Sequence, residues 1–149
     1  LARKRILKEY SDLIEEMDNN PTLPYRVYMY DNNLTKWKVI LKGPSNSPYE
    51  DGLFALSLTF PEDYPYRPMS LVFLTKIYHF NVNDNSGEVC LEILNRNTSY
   101  SVKNVLESVL SLLITPNPNS SFDEEKSDLF RDDTQKYNKN ALEWTNIYA

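Results

Sequence analysis

Leu53-Phe54-Ala55-Leu56-Ser57-Leu58-Thr59-Phe60 places large apolar side chains at 54, 56, 58 and 60. Alternation with a period of two marks a strand with one buried face. Before it, runs 27–30 and 37–41 are strand-like and are joined by the turn-forming Asp31-Asn32-Asn33. After it, run 71–74 is short and continuously apolar. Short connections between such runs predict a four-stranded antiparallel meander with one face on a core. Links such as Gly43-Pro44-Ser45-Asn46-Ser47-Pro48 read as ordered turns.

Helices flank this sheet. Ile6, Leu7, Tyr10, Leu13, Ile14 and Met17 recur at three- and four-residue spacing, which predicts an amphipathic helix over 2–18. Arg3, Lys4, Arg5 and Lys8 precede Asp12, Glu15, Glu16 and Asp18, an order that opposes the helix dipole. The basic first turns are either kept for a partner or simply solvated. Pro21 and Pro24 end this region. Val102, Val105, Leu106, Val109, Leu110, Leu112 and Leu113 mark an apolar central helix, with Ser99 or Ser101 as its N-cap and Pro116 and Pro118 beyond it. Ser121-Phe122-Asp123-Glu124 reads as a capping box opening a further helix. A last helix is expected over 134–148, carrying Tyr137, Leu142, Trp144 and Tyr148. The fold class is α+β.

Composition narrows the function. With 41% hydrophobic and 25% charged residues over 149 positions, the chain is an ordinary globular one that fits a single domain, 1–149. No run reaches the ~20 apolar residues of a membrane span, and no signal-peptide pattern opens the chain. A net charge of −5 argues against broad nucleic-acid binding, which draws on Lys and Arg. One cysteine excludes an internal disulfide and a multi-cysteine zinc site, and with one histidine no metal site or cofactor is expected.

That cysteine, Cys90, ends the polar, turn-rich segment His79-Phe80-Asn81-Val82-Asn83-Asp84-Asn85-Ser86-Gly87-Glu88-Val89. It is either a small buried hydrophobe or a placed nucleophile. Several further segments bear on the choice. They are Tyr49-Glu50-Asp51-Gly52-Leu53-Phe54, Phe60-Pro61-Glu62-Asp63-Tyr64-Pro65-Tyr66-Arg67-Pro68, Cys90-Leu91-Glu92-Ile93-Leu94, Pro116-Asn117-Pro118, Lys136-Tyr137-Asn138 and Glu143-Trp144-Thr145. In this order and spacing they closely resemble the catalytic core of the ubiquitin-conjugating enzymes, and the resemblance spans essentially the whole chain.

The resemblance implies an N-terminal helix, a four-stranded antiparallel meander, an active-site loop, a central helix and two C-terminal helices. It implies an acyltransferase that accepts ubiquitin from an activating enzyme as a thioester on Cys90, then passes it to a substrate lysine or a ligase cysteine. Thiol-for-thiol exchange needs no strongly acidic thiol, and the acidic neighbours Asp84, Glu88 and Glu92 suit an ordinary one. Asn81 matches the family asparagine beside the cysteine, an oxyanion donor or a brace for the loop. His79 is expected to brace the loop and not to act as a base, since a base must reach its proton. Ser120 falls where the family has aspartate or serine at the mouth of the site; it guides the lysine or caps the helix that follows. Glu92 matches an acidic position that orients the lysine, with a solvated charge as the alternative. Lys4, Arg5 and Lys8 lie where members meet the activating enzyme and ligases, Tyr66 where an exposed aromatic meets RING or HECT ligases, and Ser99 in the ligase-facing stretch. The implied partners are ubiquitin, the activating enzyme, ligases and substrate proteins, with no nucleic acid and no membrane. A monomer in the cytoplasm or nucleus is expected.

Four departures stand out. The proline of the usual His-Pro-Asn is Phe80, and the loop before Cys90 is longer by a residue. Asn95-Arg96-Asn97-Thr98-Ser99-Tyr100-Ser101 lacks the family's Trp-Ser-Pro and is shorter, which leaves the cognate ligase open. Arg26 replaces a small residue on the rear of the sheet, where some members bind ubiquitin non-covalently. The alternatives are a conjugating enzyme for a ubiquitin-like modifier, a non-catalytic ubiquitin-binding variant, and a cysteine hydrolase built on Cys90, His79 and Asn81.

Overall fold

The computed structural model describes residues 1–89 and 101–149. In chain order the elements are α1 (Ala2–Asn19), β1 (Tyr25–Tyr30), β2 (Asn33–Lys42), β3 (Leu53–Thr59), β4 (Ser70–Phe73), α2 (Val102–Ile114), α3 (Glu124–Asp132) and α4 (Thr134–Tyr148). The strands pair in sequence order, β1-β2-β3-β4, each antiparallel to the next. This is the expected meander.

Alternation sets the register. Val27 opposes Val39, Val39 opposes Leu56, and Leu56 opposes Phe73, so one row of apolar side chains crosses all four strands on the inner face. A slip of one residue would turn that row to solvent. Asp31 and Asn32 both take positive φ (41° and 57°), the left-handed pair that a tight hairpin needs. β1 and β2 begin earlier than the apolar runs suggested, because Tyr25 and Arg26 pair with Leu41 and Ile40, and Tyr30 pairs with Asn33. β4 stops at Phe73, before Leu74, where the Leu74 and Thr75 N–H groups both turn to the Ala55 carbonyl.

α1 lays Ile6, Leu13 and Met17 on this face, and Tyr10 meets Trp37 edge-to-face at 5.1 Å. The buried side of α2, from Val102 to Leu113, joins the same core. Ser101 caps α2, its side chain accepting from the Asn104 N–H at 3.3 Å. The capping box expected at Ser121 does not form. Asp123 caps α3 instead, accepting from the Lys126 N–H at 3.1 Å, while the Ser121 hydroxyl accepts from Asp123 N–H at 3.0 Å and shapes the approach to it. A carboxylate is the better partner for a helix N-terminus, and it won. Among the described residues, no helix is long and apolar enough to cross a membrane.

Candidate active site

After β4 the chain buries six residues in a row, from Ile77 to Val82, although three of them carry polar side-chain groups. Burial on this scale requires each polar group to find a partner. His79 Nε2 lies 2.7 Å from the Leu112 carbonyl of α2, and Nδ1 lies 3.0 Å from the Asn81 N–H. A carbonyl can only accept and an N–H can only donate, so the proton sits on Nε2 and Nδ1 is the acceptor. Burial pushes the imidazole pKa down from 6.5 to about 4; the Leu112 carbonyl opposes that fall and the Lys126 charge adds to it. Both ring nitrogens are therefore occupied, and the ring stays neutral at physiological pH. Taking a proton from a thiol or amine would require breaking one of these bonds.

Asn81 joins this loop to the segment after α2. Its Nδ2 donates to the Asn117 carbonyl at 3.0 Å and to the Ser120 carbonyl, and its Oδ1 accepts from the Asn117 N–H at 2.8 Å. Both amide hydrogens are thereby committed. Ser120 is buried and reaches this site through its main chain; it does not cap α3. Phe80 is wholly buried against His79, Phe130 and Tyr137. Unlike a proline it carries an N–H, and the Tyr137 hydroxyl accepts it at 3.1 Å, while the Phe80 carbonyl accepts from Phe122 N–H at 2.9 Å. Burial lifts the Tyr137 phenol to about 12 and Tyr49 well above its ordinary range, so neither is a phenolate at neutral pH.

Residues 83–86 form the tip of the loop, exposed from 84 to 86, and make their own bonds. The Asn83 side chain accepts from the N–H groups of Asn85 (2.8 Å) and Ser86 (3.0 Å), and Ser86 Oγ accepts from Glu88 N–H at 3.2 Å. Gly87 has φ +76°, and a Cβ there would lie 2.0 Å from the Phe73 carbonyl oxygen. Its own carbonyl accepts from Phe73 N–H at 2.7 Å, and Val72–Glu88 and Val82–Val89 bridges close the loop. These bonds hold the backbone on the approach to Cys90, from Gly87 to Val89. Cys90, Glu92 and Ser99 lie outside the described residues.

The other expected contacts spread over the surface. Tyr66 is 78% exposed on the turn between β3 and β4. Lys4 is exposed, Lys8 pairs with Asp12 at 3.1 Å, and Arg5 pairs with Glu9 at 3.1 Å with its guanidinium 5.9 Å from the Tyr64 ring centre. The hydrogen bond to Glu9 raises the Arg5 pKa. Arg26 points away from the core and bonds the Pro21 carbonyl at 3.4 Å.

Sequence reasoning missed the roles of Glu9, Tyr137 and Lys126. Glu9 accepts from Arg5, from the Tyr64 hydroxyl and from the Val102 N–H (2.8 Å), so one carboxylate ties α1 to the β3–β4 turn and to the start of α2. Tyr137 supports Phe80. Lys126 pairs with Asp84 at 2.5 Å across 42 positions of sequence. The only advance sign was a charged or aromatic residue on a helix; its partner is invisible until the chain folds. Asp84, expected to weigh on the thiol as a free negative charge, has a cation against it.

The family model described as Ubiquitin-conjugating enzyme matches residues 5–145. A Dictyostelium discoideum protein named ubiquitin conjugating enzyme E2 B is 36% identical over 149 residues, covering 99% of this chain and 98% of its own. The chain superposes on a ubiquitin-conjugating enzyme domain from Toxoplasma gondii with a TM-score of 0.85 at 30% identity, covering 98% of this chain and 97% of that one. Against a crystal structure of a Plasmodium yoelii protein the TM-score is 0.87 at 32% identity, covering 99% of this chain and 95% of that one. A match over nearly the whole length, by sequence and by fold, leaves one assignment: the chain belongs to the ubiquitin-conjugating enzyme family, transferases that work with ubiquitin, an activating enzyme and ligases.

Proposed function

We propose that Cys90 is the acceptor thiol and that residues 1–149 act as one catalytic core. The observation that carries this reading is that the only cysteine follows directly on a loop whose backbone is bonded in place from His79 to Val89. The Cys90 thiolate attacks the carbonyl carbon of ubiquitin's C-terminal thioester on the activating enzyme. The tetrahedral intermediate collapses and expels the activating enzyme's thiolate. In the second step the neutral amine of a lysine attacks the new thioester, an amide bond forms, and Cys90 leaves as thiolate while the amine's proton passes to solvent.

In this reading His79 braces the loop, which its two occupied ring nitrogens support. Asn81 holds segment 117–120 against the loop; oxyanion donation would require it to release one of those carbonyls. Ser120 and Glu92 border the approach of the lysine. Tyr66 is the ligase anchor, a large exposed aromatic between prolines. Lys4, with Arg5, Lys8 and Ser99, completes the face for the activating enzyme and ligases. Action as a monomer in the cytoplasm or nucleus belongs to the same reading.

The test is a charging reaction with activating enzyme, ATP and ubiquitin, resolved on reducing and non-reducing gels. An ATP-dependent adduct removed by reductant is expected, absent in Cys90→Ala and converted to a reductant-resistant oxyester in Cys90→Ser. An adduct that persists in Cys90→Ala would overturn the assignment.

A further inference from the structure

Lys126 is an unusual residue to find where it is. Its side chain is 9% exposed, with Nζ 4.4 Å from the Tyr78 ring centre and 5.1 Å from that of Trp144. Both Asp84 carboxylate oxygens accept from it, at 2.5 and 2.6 Å, and the Asp123 carboxylate lies 3.8 Å away. Pairing a buried ammonium with a carboxylate seldom stabilises a fold more than an apolar side chain of the same size would. An apolar side chain in this aromatic cage would serve stability as well. What the lysine adds is direction, because it fixes where Asp84 sits.

Asp84 lies on the tip of the loop that leads into Cys90. The base of that loop is held on both sides, by Gly87 against Phe73 and by Asn81 against 117–120. Beyond the Gly87–Phe73 contact the tip borders a pocket of about 160 Å³ lined by residues 73–77 and 82–87. Asn85 and Ser86 use their bonds within the loop. Among the described residues, the bond from Asp84 to Lys126 reaches from the tip to the helical half.

We propose that Lys126 is a positioning residue for the transfer reaction, acting through Asp84 to clamp the tip of the active-site loop to α3. The inference rests on Cys90 as acceptor. Release of the clamp lets the tip settle into the cavity and shifts the loop ahead of Cys90. Attack by an amine on a thioester is sensitive to such misplacement, since ångström-scale errors slow well-oriented reactions by large factors.

The test uses the double variant Asp84→Asn with Lys126→Met, which leaves no unpaired buried charge and places a thioether among the rings. Thermal unfolding is measured alongside single-turnover discharge to free lysine, counted per molecule charged with ubiquitin. The double variant is expected to melt within a few degrees of the wild type, to charge to the same extent and to discharge roughly tenfold more slowly. Lys126→Arg keeps the cation and should restore at least half the wild-type rate. Discharge of the double variant within twofold of wild type overturns the clamp, as does an Arg variant no faster than the double variant. A merely structural lysine would change the melting temperature or the charged fraction and leave the rate per charged molecule alone. Should the wild type form no thioester, it is the acceptor assignment that fails, which the charging step reports separately.

Discussion

Lowering the pH from 7.5 to 4.5 should cost this protein stability through one identifiable side chain. His79 is the chain's only histidine, and burial holds its folded pKa at about 4 against an ordinary 6.5. As pH falls through 6.5 the unfolded chain takes up a proton that the folded chain refuses until about 4. The unfolded state binds more protons across that window, so stability is full above pH 6.5 and falls as pH drops toward 4. At roughly 1.4 kcal/mol per pH unit the whole window is worth about 3 kcal/mol, most of it lost by pH 4.5. Geometry gives the same sign: a proton on Nδ1 would face the Asn81 N–H, donor against donor. Urea unfolding followed by tryptophan fluorescence, with Trp37 as the wholly buried reporter, measures the loss. Repeating it on His79→Gln subtracts the carboxylates, which titrate in both proteins. The wild type should lose about 2 to 3 kcal/mol more than the variant between pH 7.5 and 4.5. The sole imidazole resonance in the proton NMR spectrum should also stay fixed from pH 7.5 to 5. A folded-state midpoint near 6.5, or parallel stability curves for the two proteins, refutes the reasoning.

Other perturbations have signs set by the same geometry. Gly87→Ala forces a side chain into a positive-φ residue and into the Phe73 carbonyl, and should lower stability by about 2–4 kcal/mol in urea titrations. Glu9→Ala strips the Val102 N–H, the Tyr64 hydroxyl and Arg5 of a shared acceptor; a loss of about 2–3 kcal/mol is expected, measured the same way. Tyr137→Phe leaves the buried Phe80 N–H without its partner and should cost about 1–3 kcal/mol, with faster amide exchange at Phe80 by NMR. Tyr66→Ala removes an exposed ring and should leave stability within about 0.5 kcal/mol. The same change should slow ligase-stimulated discharge while leaving ligase-free discharge unchanged.

What could be read from the sequence was what repeats along it. Residues 53–60 revealed a strand because a half-buried strand must alternate; the last helix was expected over 134–148 and runs there, but its buried face is Tyr137, Ala141 and Thr145, while Leu142 and Tyr148 are exposed. The segment holding Asn83 and Ser86 was legible as polar and turn-rich, and their bonding partners do lie within three residues. Ser121 misled for a related reason. A serine three positions before a charged residue is a sound local cue, yet the chain offered Asp123 two residues on, and the helix took the carboxylate. Ties across long separations left no such trace. Glu9 meets Val102 at 93 positions, Phe80 meets Tyr137 at 57 and Asp84 meets Lys126 at 42.

The two ties that reach the loop, at Phe80 and Asp84, have a consequence that the departure at position 80 brings out. A proline at 80 would need no partner for its nitrogen and would fix its own φ. Phe80 does neither, so its position is imposed from outside, by the Tyr137 hydroxyl and by the rings of Phe130 and Tyr137. His79 takes its orientation from the Leu112 carbonyl of α2, and Asp84 takes its place from Lys126 of α3. These three side-chain holds on the loop reach it from α4, α2 and α3, beside the ties from segment 117–122 and from β4. Rigidity that a shorter loop with proline would carry within itself is here supplied by α2, α3 and α4 together. Perturbing the packing of α3 on α4 should therefore reach the reaction, and it should do so through the loop rather than through the sheet.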